Sequence, residues 1–102
     1  MSVTHLERSL RRSHVRARVL CILAARGEMY ASHLIDVAGI DARRLRLALQ
    51  GDGDRYRRDL SLLKLGLVEE IRGRGEVRYR ATRSGRALAV RLVRERRMRQ
   101  WP

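Results

Sequence analysis

Residues 31–49, ASHLIDVAGIDARRLRLAL, decide how the rest of the chain reads. At helical spacing they form two short helices joined by a tight turn at Gly39-Ile40-Asp41. Ser32 is placed to cap the first helix and Asp41 the second, because a short side-chain oxygen there accepts from the first free backbone N–H groups. Leu34, Ile35 and Ala38 before the turn, Ile40 within it, and Leu45 and Ala48 after it make one apolar set, as two crossed helices require. Gly39 suits a helix exit through positive φ. The second helix, 42–50, turns Arg43, Arg44, Arg46 and Gln50 away from that set. The pattern is that of a helix-turn-helix. An ordinary core helix pair with solvated arginines has the same signature, so the flanking sequence has to decide.

The chain of 102 residues is long enough for one domain with a modest core. A hydrophobic fraction of 44% excludes a globally disordered chain. The charge balance is unusual: 24 Lys and Arg against 11 acids give a formal charge of +13. Such an excess repels itself, and an anionic partner relieves the repulsion, nucleic acid first and a membrane surface second. Lys64 is the only lysine, so the other 23 basic residues are arginine. Arginine forks onto phosphates and guanine edges as lysine cannot, although a GC-rich genome or high growth temperature gives the same bias. Cys21 is the single cysteine, which excludes an internal disulfide framework and fits a reducing cytosol. No apolar run reaches transmembrane length and no secretory segment opens the chain, so a cytoplasmic location is expected.

In chain order, Thr4-His5-Leu6-Glu7 has the form of a capping box, and a helix is expected from near His5 to Arg26. Val15, Val19, Ile22 and Leu23 form its core stripe. Leu6, Leu10, His14, Ala17, Cys21 and Ala24 form a second line, open to two readings: a dimer seam, or packing against the chain's own last helix. After Gly27, Glu28-Met29-Tyr30 is a short extended link. Gln50-Gly51-Asp52-Gly53-Asp54 breaks the second helix of the pair. Asp52 or Asp54 can then cap another helix over 55–65, with Tyr56, Leu60 and Leu63 on one face and Gly66 at its end. Next the period turns alternating, with strands over 67–72 and 76–81 around Gly73-Arg74-Gly75. Val77, Tyr79 and Ala81 point one way, Arg78 and Arg80 the other. Thr82 caps the final helix, which carries Ala87, Leu88, Leu92 and Val93. The basic end of that helix, 94–99, complements its dipole. The fold class is therefore mainly α with a small β-hairpin, in the order helix, helix, turn, helix, helix, hairpin, helix. The organisation is an N-terminal extension at 1–12, expected to be helical, a winged domain at 13–97 and a tail at 98–102.

From Tyr30 through Gly39-Ile40 to Leu65-Gly66-Leu67-Val68, and on through Val77-Arg78-Tyr79-Arg80-Ala81-Thr82-Arg83-Ser84-Gly85, the chain resembles small single-domain winged helix-turn-helix transcriptional regulators of the archaeal and bacterial type. The stretch "LGLVEE … YRATRSGRAL" is similar to the segment where such proteins end the recognition unit, form the wing and begin the last helix. The resemblance covers about residues 13–95 and is specific for the fold more than for the biological role. It implies double-stranded DNA binding, with helix 42–50 in the major groove and the wing tip near residue 74 at the minor groove or backbone. Arg43, Arg44, Arg46 and Gln50 would then face base edges and flanking phosphates. A bidentate arginine–guanine pair contributes about 1–3 kcal/mol of discrimination. Arg74 would enter the minor groove or clamp a phosphate. Arg55, Arg57, Arg58, Arg72 and Arg78 would mainly contact phosphates. The chain departs from the family pattern at the extra glycine break and helix 55–65, which makes that helix a second contender for the reading role.

No catalytic set is visible, so an enzyme is not expected. His5, His14 and His33 lack metal-ligand spacing with one another or with Cys21. Residues 51–54 lack the length and distal glutamate of a calcium loop, and there is no phosphate-binding glycine loop. No cofactor or metal is expected, and an effector is left undefined. The expected partners are double-stranded DNA and a second copy of the chain, joined through the N- and C-terminal helices. The alternative is a non-specific nucleic-acid binder, chromosome-coating or RNA-binding. With only four aromatic residues and no Phe, single-strand stacking platforms are disfavoured. A protein-docking winged helix is a third reading, hard to reconcile with the charge.

Overall fold

The structure is a computed structural model, and it describes residues 14–51 and 61–100. In order these form α1 (His14–Arg26), β1 (Met29–Tyr30), α2 (Ala31–Ala38), α3 (Ala42–Gln50), β2 (Val68–Arg72), β3 (Val77–Ala81) and α4 (Arg83–Gln100). The three strands make one antiparallel sheet in the order β1-β3-β2. The arrangement is a winged helix, mainly α with a small β-hairpin, and α2 and α3 are its helix-turn-helix.

The turn between α2 and α3 follows from its residues. Gly39 leaves α2 at φ 67°, ψ 38°, and its N–H reaches the Ile35 carbonyl at 3.0 Å; an L side chain there would be strained. Asp41 caps α3 through Oδ1, which accepts from the Arg44 N–H at 2.7 Å. Leu34, Ala38, Leu45 and Ala48 are buried, with Ile35 and Ile40 half-buried against the core. Ser32 is not the cap of α2. That position belongs to Tyr30, which makes no side-chain capping bond. Strand β1 runs straight into the helix, so Ala31 is already helical and Ser32 falls inside the first turn.

α1 packs against α2, α3, β3 and α4. Leu20 and Leu23 on α1 are fully buried, as are Val19, Leu34, Leu62 and Val68. Contact on several sides explains why one apolar stripe was too narrow: Leu20 lies between the two lines read from sequence, yet sits at the centre. Of the second line, Cys21 and Ala24 pack against the core and His14 is exposed. Over that part the line is used inside the chain. Leu6, Leu10 and the capping box lie outside the described residues.

After Gly51 the chain corrects one expectation. Residues 61–66 are turns, not the end of a helix over 55–65. The Leu62 N–H donates to the Ala48 carbonyl at 3.0 Å and the Leu63 N–H to the Leu49 carbonyl at 3.1 Å. These donors close the open end of α3 rather than the preceding helical turn. Leu62 is thereby driven into the core, while Tyr56, Leu60 and the caps Asp52 and Asp54 lie outside the described residues.

Thr82 caps α4 as expected. Its Oγ1 accepts from the Gly85 N–H at 3.1 Å and donates to the Gly66 carbonyl at 2.6 Å. The packed face of α4 is Gly85, Leu88, Ala89 and Leu92, a stripe at i, i+3, i+4, i+7. Ala87 and Val93 fall off that stripe and are exposed. Val77 shares a sheet face with Tyr79 and Ala81 but lies beyond the core's edge, and it too is exposed.

Candidate nucleic-acid interface

α3 is amphipathic with its polar side outward. Leu45, Ala48 and Leu49 are buried, while Arg43, Arg44, Arg46 and Gln50 are exposed. Arg43, Arg46 and Gln50 recur at i, i+3, i+7, so they share one line along the helix, on the side away from the core. Half-buried Leu47 lies on the same side. Arg44 stands apart: its Nε is 3.9 Å from Asp41 Oδ2. Both side chains are largely exposed, so the pair is worth little. Arg43 and Arg46 make no ion pair among the described residues.

The mount of this helix is partly one the sequence did not reveal. Arg18 on α1 sends Nη1 to the Ala38 carbonyl at 3.1 Å, closing the C-terminal end of α2 beside the turn. Twenty positions separate the two residues, and no local pattern announces such a bond. Arg16, also on α1, is buried.

The wing is closer to electrical balance than an arginine count suggests. In the ladder Glu69 faces Arg80, Glu70 faces Tyr79 and Ile71 faces Arg78 across β2–β3. Glu28, just before β1, pairs with Arg78 at 3.1 Å and Arg80 at 3.5 Å. Arg80 Nε also donates to Glu69 Oε1 at 2.7 Å. Arg72 meets Glu70 at 3.3 Å. On the face that Glu70 and Arg72 share with Tyr79, burial raises the Tyr79 phenol pKa above its ordinary value, the Glu70 carboxylate adds to the rise, and Arg72 opposes it. At the tip, the Gly73 N–H donates to the Glu76 carbonyl at 2.9 Å and closes the hairpin. Arg74 is exposed within that loop and has no ion pair among the described residues. Of the wing residues singled out from sequence, Arg74 is therefore the open one, whereas Arg72 and Arg78 already have carboxylate partners. Arg55, Arg57 and Arg58 lie outside the described residues.

Two exposed features, the outward line of α3 and the tip arginine, thus ride on a helical body centred on α1. The sequence profile of the EarA-like family matches residues 6–92. The chain belongs to the EarA-like family. Among solved structures it is similar to the crystal structure of the MarR family transcriptional regulator SPO1453 from Silicibacter pomeroyi DSS-3. The identity is 28% with a TM-score of 0.60, over 82% of this chain and 54% of the other. The chain thus spans about half the length of that protein. No curated protein matches. Among the described residues no helix is long and apolar enough to cross a membrane.

Proposed function

We propose that the chain is a double-stranded DNA-binding transcriptional regulator that lays α3 in the major groove. The observation that carries this is the line Arg43-Arg46-Gln50, exposed and held on a capped helix whose other face is locked into the core. Likeness to a protein described as a transcriptional regulator supports the same reading. Arg43, Arg46 and Gln50 would reach base edges. Arg44, already drawn toward Asp41, would contact the flanking backbone. Arg74 would reach the minor groove or a phosphate, and Arg72 and Arg78 would serve phosphates after exchanging their carboxylate partners. Arg55, Arg57 and Arg58 are proposed as further phosphate contacts. Two copies, joined through the terminal helices, would place two α3 helices about 34 Å apart on a palindromic site. Val90 and Val93, exposed on α4, suit that junction. This reading places the protein in the cytoplasm and gives it no enzymatic role.

Replacing both Arg43 and Arg46 by alanine tests the assignment. If each makes one bidentate base contact, the pair loses about 2–6 kcal/mol of discrimination between its preferred duplex and a scrambled one. Competition binding with both duplexes reads this directly, and an unchanged preference would remove α3 as the reading helix.

One observation favours the alternative, backbone binding without sequence preference. Arg83, Arg86 and Arg94 are all exposed on α4. Equal affinity for unrelated duplexes at moderate salt would establish that mode instead.

A further inference from the structure

We propose that Tyr30 is a positioning residue that fixes the wing tip, and with it Arg74, against the helix pair. This rests on the reading above that Arg74 contacts DNA. Tyr30 ends β1 and occupies the N-cap position of α2. Its backbone therefore belongs at once to the sheet, where its partner is Arg78, and to the helix-turn-helix. Its hydroxyl donates to Glu76 Oε2 at 3.1 Å, across 46 positions of sequence. Glu76 is the last residue of the tip loop, and its own carbonyl accepts from Gly73 at 2.9 Å. The loop is thus closed on itself and tied to the start of α2, with Arg74 between the two anchors.

Two physical consequences follow. A two-stranded ribbon twists readily, and beyond the end of the two-residue β1 only the β2–β3 ladder supports the tip. The Tyr30 hydroxyl adds a fixed point there, so less freedom is lost when Arg74 meets its target. The same bond occupies a carboxylate that stands two positions from Arg74 and would otherwise compete for its guanidinium. Arg74 indeed has no ion pair among the described residues, although Glu76 is so near in sequence.

A double-mutant cycle tests this: wild type, Tyr30→Phe, Arg74→Ala and the double variant. Affinity is measured across a salt series for the tightest-binding duplex recovered from a random pool. Tyr30→Phe changes no charge and keeps the ring, and its thermal midpoint reads any general loss of structure. Arg74→Ala should weaken binding and reduce the salt slope by about 1. Tyr30→Phe should weaken binding about 2- to 10-fold and lower the slope in the same direction, which a purely structural role would not do. In the Arg74→Ala background the Tyr30 substitution should have no further effect. A Tyr30 effect that persists in full without Arg74 overturns the proposal and leaves the wing contact standing. So does a Tyr30→Phe protein that binds as the wild type does while Arg74→Ala is weakened. If Arg74→Ala itself binds as the wild type does, the wing contact fails and the proposal falls with it.

Discussion

Tyr79 shows how much a single position depends on its neighbours across the sheet. It faces Met29 on one side and Glu70 on the other, and only 8% of its surface is exposed. Its raised phenol pKa means that the folded state holds the proton more tightly than the unfolded chain, whose value is near 10.0. The stability this contributes is complete below that value and is lost as pH rises through the folded pKa. Chemical denaturation followed from about pH 8 to about pH 11 should therefore show a falling stability. Tyr79→Phe should flatten the fall, and equal slopes for the two proteins would contradict the assignment. Other residues differ in how visible they were in the sequence. Asp41 and Thr82 act on N–H groups three positions ahead, and such local bonds were legible. Arg18, Glu28 and Tyr30 act on groups 20 to 52 positions away, and only the folded chain shows them.

At the scale of elements, the helix pair and the hairpin were legible because their periods are regular and their turns carry glycine or aspartate. β1 was visible only as an extended link. Two residues cannot display an alternation, and its membership of the sheet depends on β3. Residues 61–66 have helical-looking spacing, but the N–H groups of Leu62 and Leu63 are used by the end of α3, a competition invisible to periodicity. The junction of α4 with the chain entering β2 is tighter than the sequence hinted. A Cβ added at Gly85 would stand 1.9 Å from the Leu67 carbonyl oxygen and 3.1 Å from Leu20 Cδ1. Since Leu67 also accepts from the Thr82 N–H at 3.0 Å, its backbone cannot yield without loosening the cap. Gly85→Ala should therefore destabilise the fold by about 1–3 kcal/mol or more through overpacking. Urea unfolding measures this, and a stability equal to wild type would show that the junction is slack.

For the whole molecule, a formal charge of +13 is the first fact of the sequence, but the fold distributes it unevenly. Glu28, Glu69 and Glu70 are paired with arginines on the wing, and Arg74 is left open at its tip. α3 keeps a line of exposed arginines opposite the core, and α4 exposes Arg83, Arg86 and Arg94. The candidate reading face was thus legible as residues on one helix side, whereas the neutralised part of the wing was not, because its partners come from three separate segments. Sequence-specific binding is read by selection of bound duplexes from a random DNA pool, followed by affinity measurement across a salt series. The expected result is a recovered motif of palindromic form, bound more tightly than scrambled duplex at every salt concentration. Recovery of no motif, with affinity that collapses as salt rises and is equal for all duplexes, would contradict it and leave the arginines as readers of phosphate alone.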